Sequence, residues 1–331
     1  MPDTTNELDL LEAEIAELVT KIQQTKTEVH KLVVGQEEVM DQMLIGMLAG
    51  GHVLLEGLPG LAKTLMVKSL AKAVSLDFNR IQFTPDLMPA DILGTEVLES
   101  DSAGHKEFRY IKGPIFSNIL LADEINRTPP KTQAALLEVM QEYKVTYAGT
   151  DYPLDRPFFL LATQNPIEQS GTFPLPEAQV DRFLLHVKIG YPQQDEEEAI
   201  LKLTTTKSSE MIRPCLNGQE ILRVQELVRE VFIDDALVSK VANLVRATRP
   251  ETTDKAMIKD YLDFGAGPRA GQAIIMTAKA RAMLKGRLAV VPEDLKEMAM
   301  PALRHRLLLN FKAESEKITP DQIIQQLLVE M

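Results

Sequence analysis

Cysteine occurs once in this sequence, at Cys215, so no internal disulfide can form and nothing points to an oxidising compartment. Positive charge is also scarce: 36 Lys+Arg stand against 48 Asp+Glu, a formal net charge of −12. A chain of that sign repels polyanions unless its cations are gathered locally, which makes a nucleic-acid-binding module a poor expectation. Long hydrophobic runs are missing too. The best one, residues 43–51, is about half of the roughly 20 residues needed to span a bilayer and ends at His52. The opening MPDTTNELD is acidic and lacks the basic-then-apolar pattern of a secretory leader. These absences set the expectation of a cytoplasmic protein with no transmembrane segment. What is present is a globular composition, with 45% hydrophobic and 25% charged residues over 331 positions. At about 150 residues per domain that length suggests two domains.

Leu8, Leu11, Ile15, Leu18 and Ile22 recur at spacings of three and four, which predicts an amphipathic N-terminal helix running to about residue 29. The favoured reading of this unit, residues 1–31, is packing on its own core, the alternative being an appendage that docks on a ring or partner. A helical stretch at 37–48 then leads through Gly50-Gly51 into a buried strand at 52–56. Further strand-like runs lie at 79–83, 119–122, 158–162 and 184–189, with helical patterns at 63–74 and 131–142 between them. This alternation predicts right-handed crossovers and a parallel sheet, an α/β domain over 32–192. Two segments interrupt it. Residues 94–110, around Ser-Asp-Ser-Ala-Gly, and residues 143–154, around Ala-Gly-Thr-Asp, read as inserted β-hairpins, the plainer alternative being surface loops. Beyond Tyr191-Pro192 the patterns at 196–203, 220–231, 235–245, 269–284, 292–300 and 321–329 are all helical, giving an all-helical second domain over 193–331.

Gly57-Leu58-Pro59-Gly60-Leu61-Ala62-Lys63-Thr64 follows the first strand and opens a helix that continues with Leu65. Successive N–H groups at a helix N-terminus can wrap phosphate oxygens if the preceding chain turns tightly, which Gly57 and Gly60 permit. Lys63 would then reach the β- and γ-phosphates and the Thr64 hydroxyl would ligate Mg²⁺. Ala62 stands where a P-loop usually has glycine, and is expected to be acceptable by adopting a negative φ. A strand-to-helix turn with an exposed lysine is the alternative.

The run Ile119-Leu120-Leu121-Ala122 delivers Asp123 and Glu124 at a strand end, 60 positions after Lys63. Asp123 suits Mg²⁺, directly or through water, and Glu124 suits the base that polarises an attacking water. The run at 158–162 ends in Thr163 and Asn165, where an amide could orient that water; Asn165-Pro166 is also a common turn starter. Arg182 precedes another strand and could reach a neighbouring subunit's γ-phosphate, a contact worth about 10³ to 10⁵ in rate. Its alternative is a salt bridge to Asp181. Arg269, after Gly267-Pro268, is expected to be held rigidly at a domain interface.

Taken in order, these segments resemble the MoxR family of AAA+ ATPases. The resemblance is carried by GLPGLAKT at 57–64, RIQFTPDLMPADILG at 80–94, LLADEINRTPPKTQAALLEVMQE at 120–142, ATQNP at 162–166, PLPEAQVDRFLL at 174–185 and GPRA at 267–270. Alanine before the P-loop lysine is typical of that family. The resemblance implies that Lys63 and Thr64 are the Walker A pair, and Asp123 and Glu124 the Walker B pair. Asn165 would be sensor 1, Arg182 the arginine finger and Arg269 sensor 2, with Arg127 a rival for the intersubunit role. It also implies ATP and Mg²⁺ as cofactors and a ring, usually a hexamer. The partners implied are proteins undergoing chaperone-like maturation, often ones carrying a von Willebrand factor A domain. The hairpins resemble the helix-2 insert and the pre-sensor-1 hairpin of this branch.

Three other readings compete. The ATPase subunit of a metal-chelatase complex shares the helix-2 insert and a partner with an A-type domain, but His30, His52, His105, His186 and His305 are scattered without ligand spacing. A nucleotide-switched scaffold would bind ATP with little turnover. A nucleic-acid motor would need hairpin cations, and Lys106, Arg109, Lys112 and Lys144 lie amid Glu96, Glu99, Asp101, Glu107 and Asp151.

Overall fold

The computed structural model describes residues 4–100, 106–166, 171–205 and 211–329. Helices α1 (Thr4–His30) and α2 (Glu37–Leu48) lead through Gly50 into strand β1 (Val53–Gly57). Then follow α3 (Lys63–Ala73), β2 (Phe78–Gln82) and α4 (Pro89–Leu93). The first hairpin is β3 (Gly94–Ser100) with β4 (Lys106–Lys112), and after it come β5 (Ile119–Asp123) and α5 (Pro130–Glu142). The second hairpin is β6 (Lys144–Tyr147) with β7 (Thr150–Pro153); β8 (Phe159–Gln164), α6 (Glu177–Val180) and β9 (Leu185–Ile189) complete this part.

Strands β2, β5, β8, β1 and β9 form one parallel sheet in that order. The β5 run explains its burial on both faces. Ile119 and Leu121 join one core while Leu120 and Ala122 join the other, as the two-residue period of a strand requires. Connections leave β1 towards β2 on one side and cross it towards β9 on the other, so β1 sits where the winding reverses. In such sheets ligands bind beyond the carboxyl ends of the strands at that point.

Beyond β9 the chain is helical: α7 (Gln194–Thr205), α8 (Gly218–Glu230), α9 (Asp235–Ala247) and α10 (Ala256–Tyr261). Then come β10 (Leu262–Phe264), α11 (Pro268–Leu284), α12 (Pro292–Leu303) and a 3-10 turn, Arg304–Arg306. β11 (Leu308–Leu309), α13 (Phe311–Ser315) and α14 (Pro320–Val329) end it. Local chemistry fixes the starts. Asn217 and Glu220 form a reciprocal capping box on α8, and Pro268 fills the first turn of α11. The β10–β11 ladder is too short to leave an alternating pattern within the helical run.

The second hairpin turns more tightly than expected. Only Ala148 and Gly149 form the turn, at φ 49° and 80°, the positive pair that a two-residue hairpin with right-handed twist demands. Thr150 and Asp151 are strand residues opposite Tyr147 and Thr146. Beyond Ser100, the turn expected in the first hairpin lies outside the described residues, and so does His105.

Helix α1 packs on its own chain. Leu18 and Ile22 are buried and Leu11 and Ile15 are partly so, while the Leu8 side chain lies outside the described ones. Lys21 reaches Glu220 at 2.7 Å, Arg223 holds both oxygens of Glu14 at 2.8 and 2.9 Å, and the Gln23 amide donates to the Leu284 carbonyl. Among the described residues no helix is long and apolar enough to cross a membrane.

Candidate active site

The carboxyl ends of β1, β2, β5 and β8 bring the phosphate-loop and acidic segments to one edge. Gly57 is needed for closeness. A Cβ there would lie 2.9 Å from the Ile189 Cβ and 3.1 Å from its carbonyl oxygen, so only glycine lets β1 and β9 approach. Gly60 is needed for direction, at φ +85°. Leu58, Pro59 and Leu61 carry the loop around to Ala62, whose φ is +57°, not the negative value expected. The helix begins only at Lys63, and the residue before it must take the left-handed turn that aims the first N–H groups of α3 into the loop. An L-residue is strained there by about 1–2 kcal/mol. Lys63 spans the loop, its Nζ donating to the Gly57 carbonyl at 2.6 Å. Thr64 is next on the same first turn.

Asp123, 6% exposed, is tightly engaged. Its Oδ1 accepts from the Thr163 hydroxyl at 2.5 Å, and its Oδ2 accepts from Arg80 Nε and Nη2 at 3.0 and 2.6 Å. Thr163 Oγ1 in turn accepts the Glu124 N–H at 2.8 Å, so one hydroxyl orients both acidic residues. Glu124 leaves the strand at φ +60°, and its Oε2 accepts from Gln82 Nε2 at 2.7 Å and lies 3.1 Å from Arg127 Nε. Asn165, 4% exposed, follows β8 at the same edge.

A cleft of about 260 Å³ adjoins the loop, walled by Val33, Val34, Gly60, Leu61, Ala62, Leu65 and Met66, and closed by Pro192, Ile200 and Leu203. Its apolar walls and its place beside the phosphate loop suit a flat heteroaromatic base.

The arginines lie elsewhere. Arg182 precedes β9 and Arg269 opens α11; both line a cavity of about 310 Å³ with Gly50, Gly51 and His52, at the amino end of β1. The length of β1, about 16 Å, separates them from Lys63. Residues before a parallel strand and residues after one occupy opposite edges of the sheet, so within a single chain Arg182 lies away from Lys63. Arg182 donates to the Leu137 carbonyl at 2.8 Å, and its neighbour Asp181 pairs with Arg306 and Arg269. Arg269 lies between the two domains. Its side chain is 54% exposed and meets Asp181 at 3.5 Å.

Arg80 and Gln82 were not singled out by sequence reasoning, although both are polar on one face of β2, a period-two signal. Of the cleft's walls, Gly60, Leu61, Ala62 and Leu65 belong to the segment singled out in the sequence, while Val33, Val34, Met66, Pro192, Ile200 and Leu203 carry no sequence mark of their own. Of the scattered histidines, His186 and His305 meet with ring centroids 5.8 Å apart, and His186 Nε2 lies 2.9 Å from Glu56. Among the described residues no group of three or more side chains converges as metal ligands.

Comparison with known proteins agrees with this fold. Residues 52–185 match the model of the ATPase family associated with various cellular activities (AAA), and residues 254–327 match the AAA lid domain. Chaperone MoxR1 of Mycobacterium tuberculosis is 46% identical over 303 residues, covering 91% of this chain and 79% of that protein. Protein MoxR of Paracoccus denitrificans is 27% identical over 329 residues, covering 94% and 96%. A crystal structure of a candidate ATPase from Cytophaga hutchinsonii superposes with a TM-score of 0.91 at 44% identity, covering 98% of each chain.

Proposed function

Because this chain belongs to the MoxR family of AAA+ ATPases, we propose that it is a Mg²⁺-dependent ATPase that works in a ring and couples hydrolysis to remodelling of a protein partner. The α3 N-terminus and Lys63 bind the phosphates, and the apolar cleft takes the base. Thr64 and Asp123 offer only oxygen donors, which suits a hard cation. Asp123 accepts three hydrogen bonds, leaving one of about four lone-pair sites for Mg²⁺ or a water on it. When bound, the ion neutralises charge on the phosphates. Glu124 accepts a proton from the attacking water and Asn165 orients it.

One observation carries the ring: the phosphate half and the arginine half of the site lie on opposite edges of one sheet. That separation supports Arg182 and Arg269 completing a neighbour's site. Arg127 is spent on Glu124 at 3.1 Å in its own subunit, which favours Arg182 as the residue acting in trans. A protein partner, including one with a von Willebrand factor A domain, fits better than nucleic acid. Arg109 pairs with Glu99, Lys144 with Asp151, and Lys112 sits over the Phe116 ring, so these hairpin cations are used internally.

The test is Glu124→Gln. The variant should bind ATP normally and lose turnover by about 10² or more, the usual worth of a positioned base. Hydrolysis at the wild-type rate would remove Glu124 from its role.

A further inference from the structure

The arginine-bearing edge is gripped from the helical domain chiefly by one side chain. Arg306 ends the 3-10 turn after α12, and 4% of its side chain is exposed. Its Nε donates to Asp181 Oδ1 at 2.7 Å, and its Nη2 donates to the carbonyls of Asp181 at 3.1 Å and Phe183 at 2.8 Å. Its Nη1 donates to the carbonyls of Leu184, at 3.3 Å, and Ala302. These bonds use all five donors of a guanidinium, and four of them end on residues 181–184. The segment they grip brackets Arg182 on both sides. His305 adds a contact from Nε2 to the Phe183 carbonyl at 3.1 Å. The remaining oxygen of Asp181, Oδ2, faces Arg269.

A buried cation is an expensive way to fill space, since an apolar side chain of similar volume is often as stabilising. Five donors aimed at one short segment give geometric control that packing alone does not. We propose that Arg306 is the positioning residue of the trans-acting edge: it fixes the backbone from which Arg182 projects and, through Asp181, the placement of Arg269. The helical domain thereby sets whether the neighbouring subunit's site is complete. This rests on the reading that Arg182 acts in the neighbour's site.

Subunit mixing tests it. Arg306→Lys keeps the charge but offers donors from a single point that cannot span residues 181–184. The all-variant oligomer should lose about ten- to a hundredfold in kcat, as a misplaced catalytic group does, with its own affinity for a fluorescent ATP analogue unchanged. Mixing it with Lys63→Ala subunits, which have a disabled phosphate loop and an intact arginine edge, should restore hydrolysis. Asp181→Asn, nearly isosteric, should behave alike and serves if Arg306→Lys does not fold. The reference pair is Arg182→Ala with Lys63→Ala. Recovery in the reference pair together with none in the Arg306 or Asp181 pair overturns the positioning role, as do unchanged kcat or a parallel loss of ATP affinity, the mark of a general structural defect. No recovery in the reference pair overturns the trans reading itself, and this proposal with it.

Discussion

Ala62 and Glu124 share an uncommon backbone geometry, φ +57° and +60°, and they flank the place where phosphate chemistry is proposed. Strain of this kind persists where the surrounding structure over-determines it. At Ala62 the strain can be relieved. Ala62→Gly removes about 1–2 kcal/mol of left-handed strain and adds about 0.4–1 kcal/mol of unfolded-state entropy, so the variant should gain roughly 0.5–1 kcal/mol in chemical denaturation. A loss of stability would show that the angle is not strained. The departure from glycine at Ala62 was visible in the sequence, but its angle was not, because the return direction of the loop is set by the strands it joins. Lys63, Asp123, Glu124 and Asn165 stood out as candidates because Lys63 closes the glycine-bearing turn after a strand-like run and the other three lie at the ends of such runs. Arg80 and Gln82 did not, since they reach the acidic pair across β2 and β5, where Gln82 pairs in register with Asp123. Strand order is decided by the whole sheet.

At the scale of elements, the alternation of apolar runs and amphipathic stretches reported the parallel sheet well, while two-residue turns and the β10–β11 ladder were too short to register. The edge assignment of Arg182 was available in principle from its place before a strand. The packing of α1 was open between two readings, and Ile22 decides it. Fully buried, Ile22 belongs to the core that also contains Met66 of α3 and Ile274 of α11. Ile22→Ala should therefore destabilise the whole chain by about 2–5 kcal/mol in denaturant unfolding; a helix that merely decorated the surface would give an effect below about 0.5 kcal/mol. The two hairpins are likewise joined. Tyr110 of β4 stacks on Tyr152 of β7 with centroids 4.3 Å apart and meets Tyr147 of β6 at 5.2 Å, so the inserts form one aromatic block.

For the molecule as a whole, buried histidines make stability depend on pH. His52 accepts the Leu160 N–H on Nδ1 at 3.0 Å and donates from Nε2 to the Met140 carbonyl at 3.1 Å, an arrangement open only to the neutral ring. Burial pushes its pKa from 6.5 down to about 4, and His305 is pushed down by burial and then by Arg306 and His186. The unfolded chain thus binds more protons than the folded one between these values, so stability is full above pH 6.5 and falls as the pH drops. From His52 alone the loss between pH 7 and pH 5 is about 2 kcal/mol, read as a shift in denaturation midpoint. Asp294, which burial alone would raise, is held low by Arg287, the Val291 N–H and Arg281, and adds to the loss at lower pH. A flat profile from pH 7 to pH 5 would contradict the neutral buried ring.

The apolar core behind the sheet is continuous. Val53, Leu55 and Leu161 of the strands share it with Ile22 of α1, Met43 of α2, Val224 of α8, Ile274 of α11 and Leu295 of α12. Swinging the helical domain away from the sheet would open that core to water at about 25 cal/mol for each Å² exposed. Close-packed interiors transmit strain instead of absorbing it. The chain is thus stiff between the loop proposed to bind phosphate and the arginine edge. In the ring proposed above, motion at the loop would reach the next subunit with little lost to internal flexing, and the compliant joints would be the seams between members.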